Sequence, residues 1–122
     1  MAIQRSELSL NAFSKALSSL EQIVHEEKTP IVRDATIQRF EYTFELSWKT
    51  LRRYFEINNG LAEDNVKNLL REAGRQGLID SVEEWFGFLK ARILTSHTYS
   101  ESVADEVYSQ ALIFALRARI LI

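Results

Sequence analysis

Ile37-Gln38-Arg39-Phe40-Glu41-Tyr42-Thr43-Phe44-Glu45-Leu46-Ser47-Trp48-Lys49-Thr50-Leu51-Arg52-Arg53-Tyr54-Phe55 is the stretch that decides the fold. Its large apolar side chains recur at Ile37, Phe40, Phe44, Trp48, Leu51 and Phe55, in steps of three and four. That is the period of a helix with one buried face. The reading predicts a helix starting between Pro30 and Asp34 and ending near Ile57, about 24 residues and about 36 Å long. Arg39, Lys49 and Arg53 fall on its far side, while Glu41, Glu45 and Arg52 flank the stripe. Glu41 and Glu45, four apart and alike in charge, call for a cationic partner, either Lys49, in the favourable i,i+4 order after Glu45, or an arginine from another helix. Asn58-Asn59-Gly60 reads as the stop, with Gly60 suited to a left-handed residue.

The same period extends in both directions. Leu8, Leu10, Phe13, Leu17, Leu20 and Val24 predict a first helix from about Ser6, its N-cap, to Glu27. Thr29-Pro30 interrupts it, because proline disfavours helix at the residue before it. Past the long helix, Val66, Leu69, Leu70 and Ala73 predict a shorter one from near Asp64 to Gln76, ended by Gly77. Ser81 and Glu84 form an S-x-x-E capping box that opens a fourth helix through Trp85, Phe88, Leu89 and Arg92 toward His97. Ser100 or Ser102 opens the last helix, with Val103, Val107, Ala111, Phe114 and Leu116 as its stripe. No segment alternates as a strand would, and none repeats. The expected fold is all-α, an antiparallel bundle of four to five helices in one domain over residues 1–122.

Composition bounds the function. With 122 residues, the chain can bury one real core. It has no cysteine, which removes disulfides, thiolate metal sites and a cysteine nucleophile, and fits a reducing cytoplasm. Only His25 and His97 are available as imidazole ligands, so no metal or other cofactor is expected. No apolar run approaches the roughly 20 residues of a membrane span, and the N-terminus lacks the order of a signal peptide. A cytoplasmic protein with no membrane partner is the expectation. The net charge of −2 carries no overall nucleic-acid footprint, so any RNA contact must be local. Two tryptophans, four tyrosines and seven phenylalanines suit either an aromatic core or a core plus a homodimer interface.

Chemistry concentrates in Arg92-Ile93-Leu94-Thr95-Ser96-His97-Thr98-Tyr99. Arginine offers a planar fork that grips phosphate oxygens in pairs. Histidine can give or take a proton near neutrality, and tyrosine can donate a hydrogen bond or accept a covalent group. On a regular helix with Arg92 at zero, Ser96 falls at about +40° and Tyr99 at about −20°. His97 falls at about +140°, beside Ile93 and Phe86. A regular helix therefore separates Arg92 from His97. Either the helix ends near His97, or a second copy completes the site across a two-fold axis. Taken singly, the arginine, histidine and tyrosine also suit a salt bridge, a helix-end residue and a packing residue.

Arg-x4-His-x-Tyr on the penultimate helix of an all-helical chain resembles the HEPN superfamily, and most closely its HepT-like branch, the nucleotidyltransferase substrate-binding proteins. The run Ile37 to Lys49 resembles that family's signature on its second helix. Glu72-Ala73, Gly77-Leu78-Ile79-Asp80 and Trp85 follow in the family's order, so the resemblance covers essentially the whole chain. It implies a HEPN-like, dimerising bundle that partners a small nucleotidyltransferase in an antitoxin-like pairing. It further implies a toxin-like, metal-independent endoribonuclease with Arg92 and His97 as catalytic residues, Tyr99 as the nucleotidylation site, and RNA or a nucleotide as ligand. Thr95, Ser96, Glu41 and Glu45 are the expected cleft residues. One position departs from the family: Ile93 stands where a polar residue, commonly Asn, follows the arginine. An apolar side chain cannot orient a phosphate by hydrogen bonding. The alternative is a non-catalytic subunit that binds substrate or nucleotide for a two-component nucleotidyltransferase, and a third reading is a plain scaffold.

Overall fold

A computed structural model describes residues 10–59 and 65–122. It contains five α-helices: α1 Asn11–Ile23, α2 Pro30–Asn59, α3 Val66–Arg75, α4 Val82–Leu94 and α5 Glu101–Arg117. Short 3-10 turns follow α4 at Thr95–His97 and α5 at Ala118–Leu121. No strand occurs among the described residues. The predicted Ser6 cap, the Gly60 stop and the start near Asp64 lie outside these residues. Within them, α1 ends at Ile23, four residues short of the expected Glu27.

Helix boundaries follow local chemistry. Pro30 opens α2 rather than merely interrupting α1, because the first helical position needs no N–H donor. Asn65 caps α3, its side chain accepting from the Asn68 N–H at 2.9 Å. Gly77 then turns the chain with a φ of +76°, a conformation that glycine adopts at no steric cost. Ser81 caps α4 by accepting from the Glu84 N–H at 3.1 Å. The other half of the expected capping box is replaced, since the Glu84 carboxylate takes Arg117 Nε at 2.8 Å and ties α4 to the end of α5. Ser100, not Ser102, takes the N-cap position of α5, its hydroxyl meeting Ser102 rather than a helix N–H.

Helix α2 is the centre of the bundle and packs against the four other helices. Ile37, Phe40, Phe44, Leu51 and Phe55 are buried as the stripe predicts, while Trp48 is only partly covered at the edge. Beside that stripe runs a second buried strip of Thr36, Thr43, Ser47 and Thr50, which apolar periodicity does not reveal. Three of its hydroxyls donate to carbonyls of their own helix: Thr36 to Val32 at 2.7 Å, Thr43 to Arg39 at 2.6 Å and Ser47 to Phe44 at 2.6 Å. The small side chains let neighbouring helices approach, and the local bonds remove the desolvation cost of burying them.

The aromatic content goes largely into this one core. Phe114 lies with its ring centroid 5.4 Å from Phe40, 5.8 Å from Phe44, 5.5 Å from Trp85 and 5.3 Å from Phe88, all edge-on. That geometry suits the aromatic quadrupole. Leu116 corrects the sequence reading: it is 76% exposed, and Ala104, Tyr108 and Ala115 complete the α5 stripe in its place. It falls some 200° from Phe114 around the helix, on the outer face.

Candidate functional site

Each motif residue takes its place from the way α4 ends. The α-helix stops at Leu94, and Thr95–His97 tighten into a 3-10 turn. Thr95 stands at this stop and ties it back to the arginine: its hydroxyl donates to the Arg92 carbonyl at 2.7 Å and accepts from an Arg92 terminal nitrogen at 3.3 Å. Thr98 donates to the Thr95 carbonyl at 3.3 Å, and the Ser100 N–H reaches the His97 carbonyl at 3.2 Å. The wheel relation that set Arg92 and Tyr99 on one face therefore does not apply. The turn instead brings His97 and Tyr99 together, ring centroids 6.0 Å apart and edge-on. Both are exposed, Tyr99 by 84%.

Arg92 is held from α2. Its Nε lies 2.8 Å from Glu45 Oε1, while Glu45 Oε2 accepts from the Trp48 indole N–H at 3.2 Å. Of the two partners expected for Glu45, the arginine from another helix is the one formed, and Lys49 is not. Lys49 lies over the Trp48 ring instead, 5.9 Å from its centroid. The Arg92 Nε–H is not aimed at the carboxylate: Nε is buried and makes no hydrogen bond, so the contact is charge against charge. This arrangement holds the root of the guanidinium and leaves one terminal nitrogen on the Thr95 hydroxyl.

The other predicted cleft residues divide. Thr95 is partly covered and bonded to Arg92, whereas Ser96 is exposed. Glu41 is partly covered and makes no ion pair among the described residues that would join it to the motif. Ile93, beside the arginine, is 62% exposed. Among the described residues, no group of three or more His, Asp or Glu side chains is placed to hold a metal ion. Nor is any helix there long and apolar enough to cross a membrane.

Sequence reasoning missed a charged cluster beneath the motif turn. Arg33, near the start of α2, is 7% exposed and reaches Glu101 at 2.6 Å, Asp34 at 3.1 Å and Asp105 at 3.4 Å. Lys28 meets Asp105 at 3.1 Å and lies over the Tyr108 ring. The bonds that Arg33 donates to Glu101 and Asp34 raise its pKa further. Arg33 in turn holds Glu101 below the usual carboxylate range, and the Lys28 ammonium does the same for Asp105. Glu101 is two residues past Tyr99, so this cluster anchors the exit of the motif turn to α2. A signal for it was available, because Arg33 continues the Ile37, Phe40, Phe44 spacing one turn back.

Known proteins match this chain along most of its length. The family model described as "Nucleotidyltransferase substrate binding protein like" matches residues 8–121. The Haemophilus influenzae protein named "Probable ribonuclease HepT" is 33% identical over 132 residues, covering 94% of this chain and 90% of that one. A crystal structure from Thermus thermophilus superposes with a TM-score of 0.83 at 35% identity, covering 88% of this chain and 93% of its own. A Haemophilus influenzae structure, described as revealing the fold of a substrate binding domain of a nucleotidyltransferase, gives 0.81 at 31% identity, covering 93% and 96%.

Proposed function

Because the chain belongs to the nucleotidyltransferase substrate-binding protein family, we propose that it is the helical partner of a small nucleotidyltransferase and cleaves RNA without a metal. The observation that carries this reading is the turn ending α4. A clamped guanidinium and an exposed imidazole flank one short segment, with a phenol edge-on to the imidazole. The similar protein named as a probable ribonuclease supports it.

In this reading the RNA supplies its own nucleophile. The 2′-hydroxyl attacks the adjacent phosphorus and loses its proton, the P–O5′ bond breaks, and the products are a 2′,3′-cyclic phosphate and a 5′-hydroxyl. His97 transfers the proton, as base toward the 2′-hydroxyl or as acid toward the leaving oxygen. The terminal nitrogens of Arg92 bind the extra negative charge on the five-coordinate phosphate. Glu45 touches no substrate and is a positioning residue for Arg92. A homodimer sets two such turns against each other, so that one copy supplies the second proton-transfer group.

Tyr99 is the regulatory position. Its exposed phenol oxygen attacks the α-phosphorus of ATP on the partner enzyme, pyrophosphate leaves, and the phenol proton goes to solvent. The attached AMP places a negative charge beside the His97 ring, whose centroid lies 6.0 Å from that of the phenol. That charge repels the RNA backbone and fills the approach.

Cleavage of total RNA in excess chelator, comparing the wild type with His97→Ala, tests the proposal. Chelator-resistant cleavage that disappears in the variant supports it. A folded wild type that leaves RNA intact refutes it in favour of a non-catalytic binding subunit, the reading that exposed Ile93 favours.

A further inference from the structure

Resting on the ribonuclease reading, we infer that Lys67 and Arg71 of α3 and Lys90 of α4 form a phosphate track that holds single-stranded RNA running to the motif turn. Lys67 Nζ lies 5.6 Å from the Phe86 ring centroid and Arg71 Cζ lies 5.3 Å from it, so one half-buried ring of α4 fixes two cations of α3. Such contacts order long side chains that would otherwise wander over the surface. Arg71 also donates to the Asn68 side chain at 2.7 Å, a neutral partner that leaves its charge uncompensated.

Most other cations of the bundle are neutralised by carboxylates. Elsewhere among the described residues every arginine but Arg39 sits within ion-pair distance of a carboxylate, and Arg39 is bound to the Ser19 carbonyl at 2.8 Å. No described carboxylate comes within that distance of Lys67, Arg71 or Lys90, and all three are exposed. Glu106 lines the cleft that Lys90 borders between α4 and α5 without pairing with it.

Placement gives the track its direction. Taking Phe86 as zero, Lys90 lies at about +40° and Ile93 at about −20° on α4, so they share a face that leads to the motif turn. Phe86 to His97 is eight residues of α-helix and a three-residue 3-10 turn, about 18 Å of axial rise, a distance that a few nucleotides of single strand cover. Cations at that spacing neutralise phosphates beside the cleaved bond and read no base, so the track confers affinity without sequence preference.

The test is binding of a fluorescent single-stranded 2′-O-methyl oligoribonucleotide, in which the cleavage nucleophile is blocked, across a range of salt concentrations. The triple variant Lys67→Gln, Arg71→Gln, Lys90→Gln is expected to bind more weakly and to lower the slope of log affinity against log salt by about 2. The control variant Arg52→Gln, Arg53→Gln, whose arginines already pair with Glu56, is expected to keep the wild-type slope. A folded triple variant with wild-type affinity and slope overturns the track. If that variant binds RNA normally but no longer retains a nucleotidyltransferase, the face belongs to a protein partner and the track is equally refuted. A wild type that cleaves RNA while the triple variant binds as wild type sinks the track alone. A wild type that neither binds nor cleaves sinks the ribonuclease reading with it.

Discussion

Glu45 and Arg92 can be removed separately and together, and the coupling between them measured. At 2.8 Å, two full charges attract by about 6 kcal/mol when the effective dielectric constant is about 20. That figure is an upper bound. The side chains are 28% and 30% exposed, so water screens the pair while desolvation opposes it. The Nε–H is not aimed at the carboxylate, and no hydrogen-bond increment is added. The net coupling should be about 1 kcal/mol, equivalent to about 4 °C in melting temperature for a chain of this length. The assay is urea unfolding of the wild type, Glu45→Gln, Arg92→Gln and the double variant at low salt. The cycle cancels the Thr95 contact, which both arginine variants lose. A coupling below about 0.3 kcal/mol, within ordinary additivity error, would show that Glu45 does not hold Arg92. The kinetic counterpart is specific to a positioning role. Glu45→Gln should lower kcat while leaving KM equal or lower, because it frees the guanidinium and also removes an anion beside an anionic substrate.

Phe114→Ala should cost about 3–5 kcal/mol in chemical denaturation, since the ring meets four other aromatic rings and the space cannot collapse cheaply; a loss under about 1 kcal/mol would contradict that packing. Stability should fall on acidification. Glu72, pulled down to about 2 by its bonds from Arg75 and Gln76, and the lowered Glu101 and Asp105 all bind fewer protons folded than unfolded. Their contribution is present above the ordinary carboxylate range near pH 4 and is lost as pH drops through the folded values. Melting temperature measured against pH should therefore decline below about pH 5, and Arg33→Met should flatten that limb by releasing Glu101. An unchanged limb would argue against the cluster. Ile93→Asn should leave melting nearly untouched, because Ile93 is exposed. It should raise cleavage about tenfold if an amide there bonds a charged phosphate, and an assay showing no gain would remove position 93 from the site.

The sequence by itself determined the helices and their apolar faces, because a helix with one buried side must repeat every three or four residues. Ile37, Phe40, Phe44, Leu51 and Phe55 were legible for that reason, as were the Ser81 cap and the Gly77 turn, whose chemistry is local. The motif was legible as a set of residue types in order. Its geometry was not, because the angle between Arg92 and His97 depends on where α4 stops, and there Thr95 ties the turn back to Arg92. Partner choice was left open between Lys49 and an arginine of another helix. Glu45 has Lys49 one turn along its own helix, and only the packing of α2 against α4 gives it Arg92 instead. Arg33 shows the limit most plainly: an arginine on an apolar stripe looks misplaced until tertiary structure brings Glu101 and Asp105 from α5 to meet it. Local chemistry sets where helices begin, end and hide their apolar side. Which charges face one another across helices is decided by packing, since residues far apart in the chain become neighbours only in the assembled bundle.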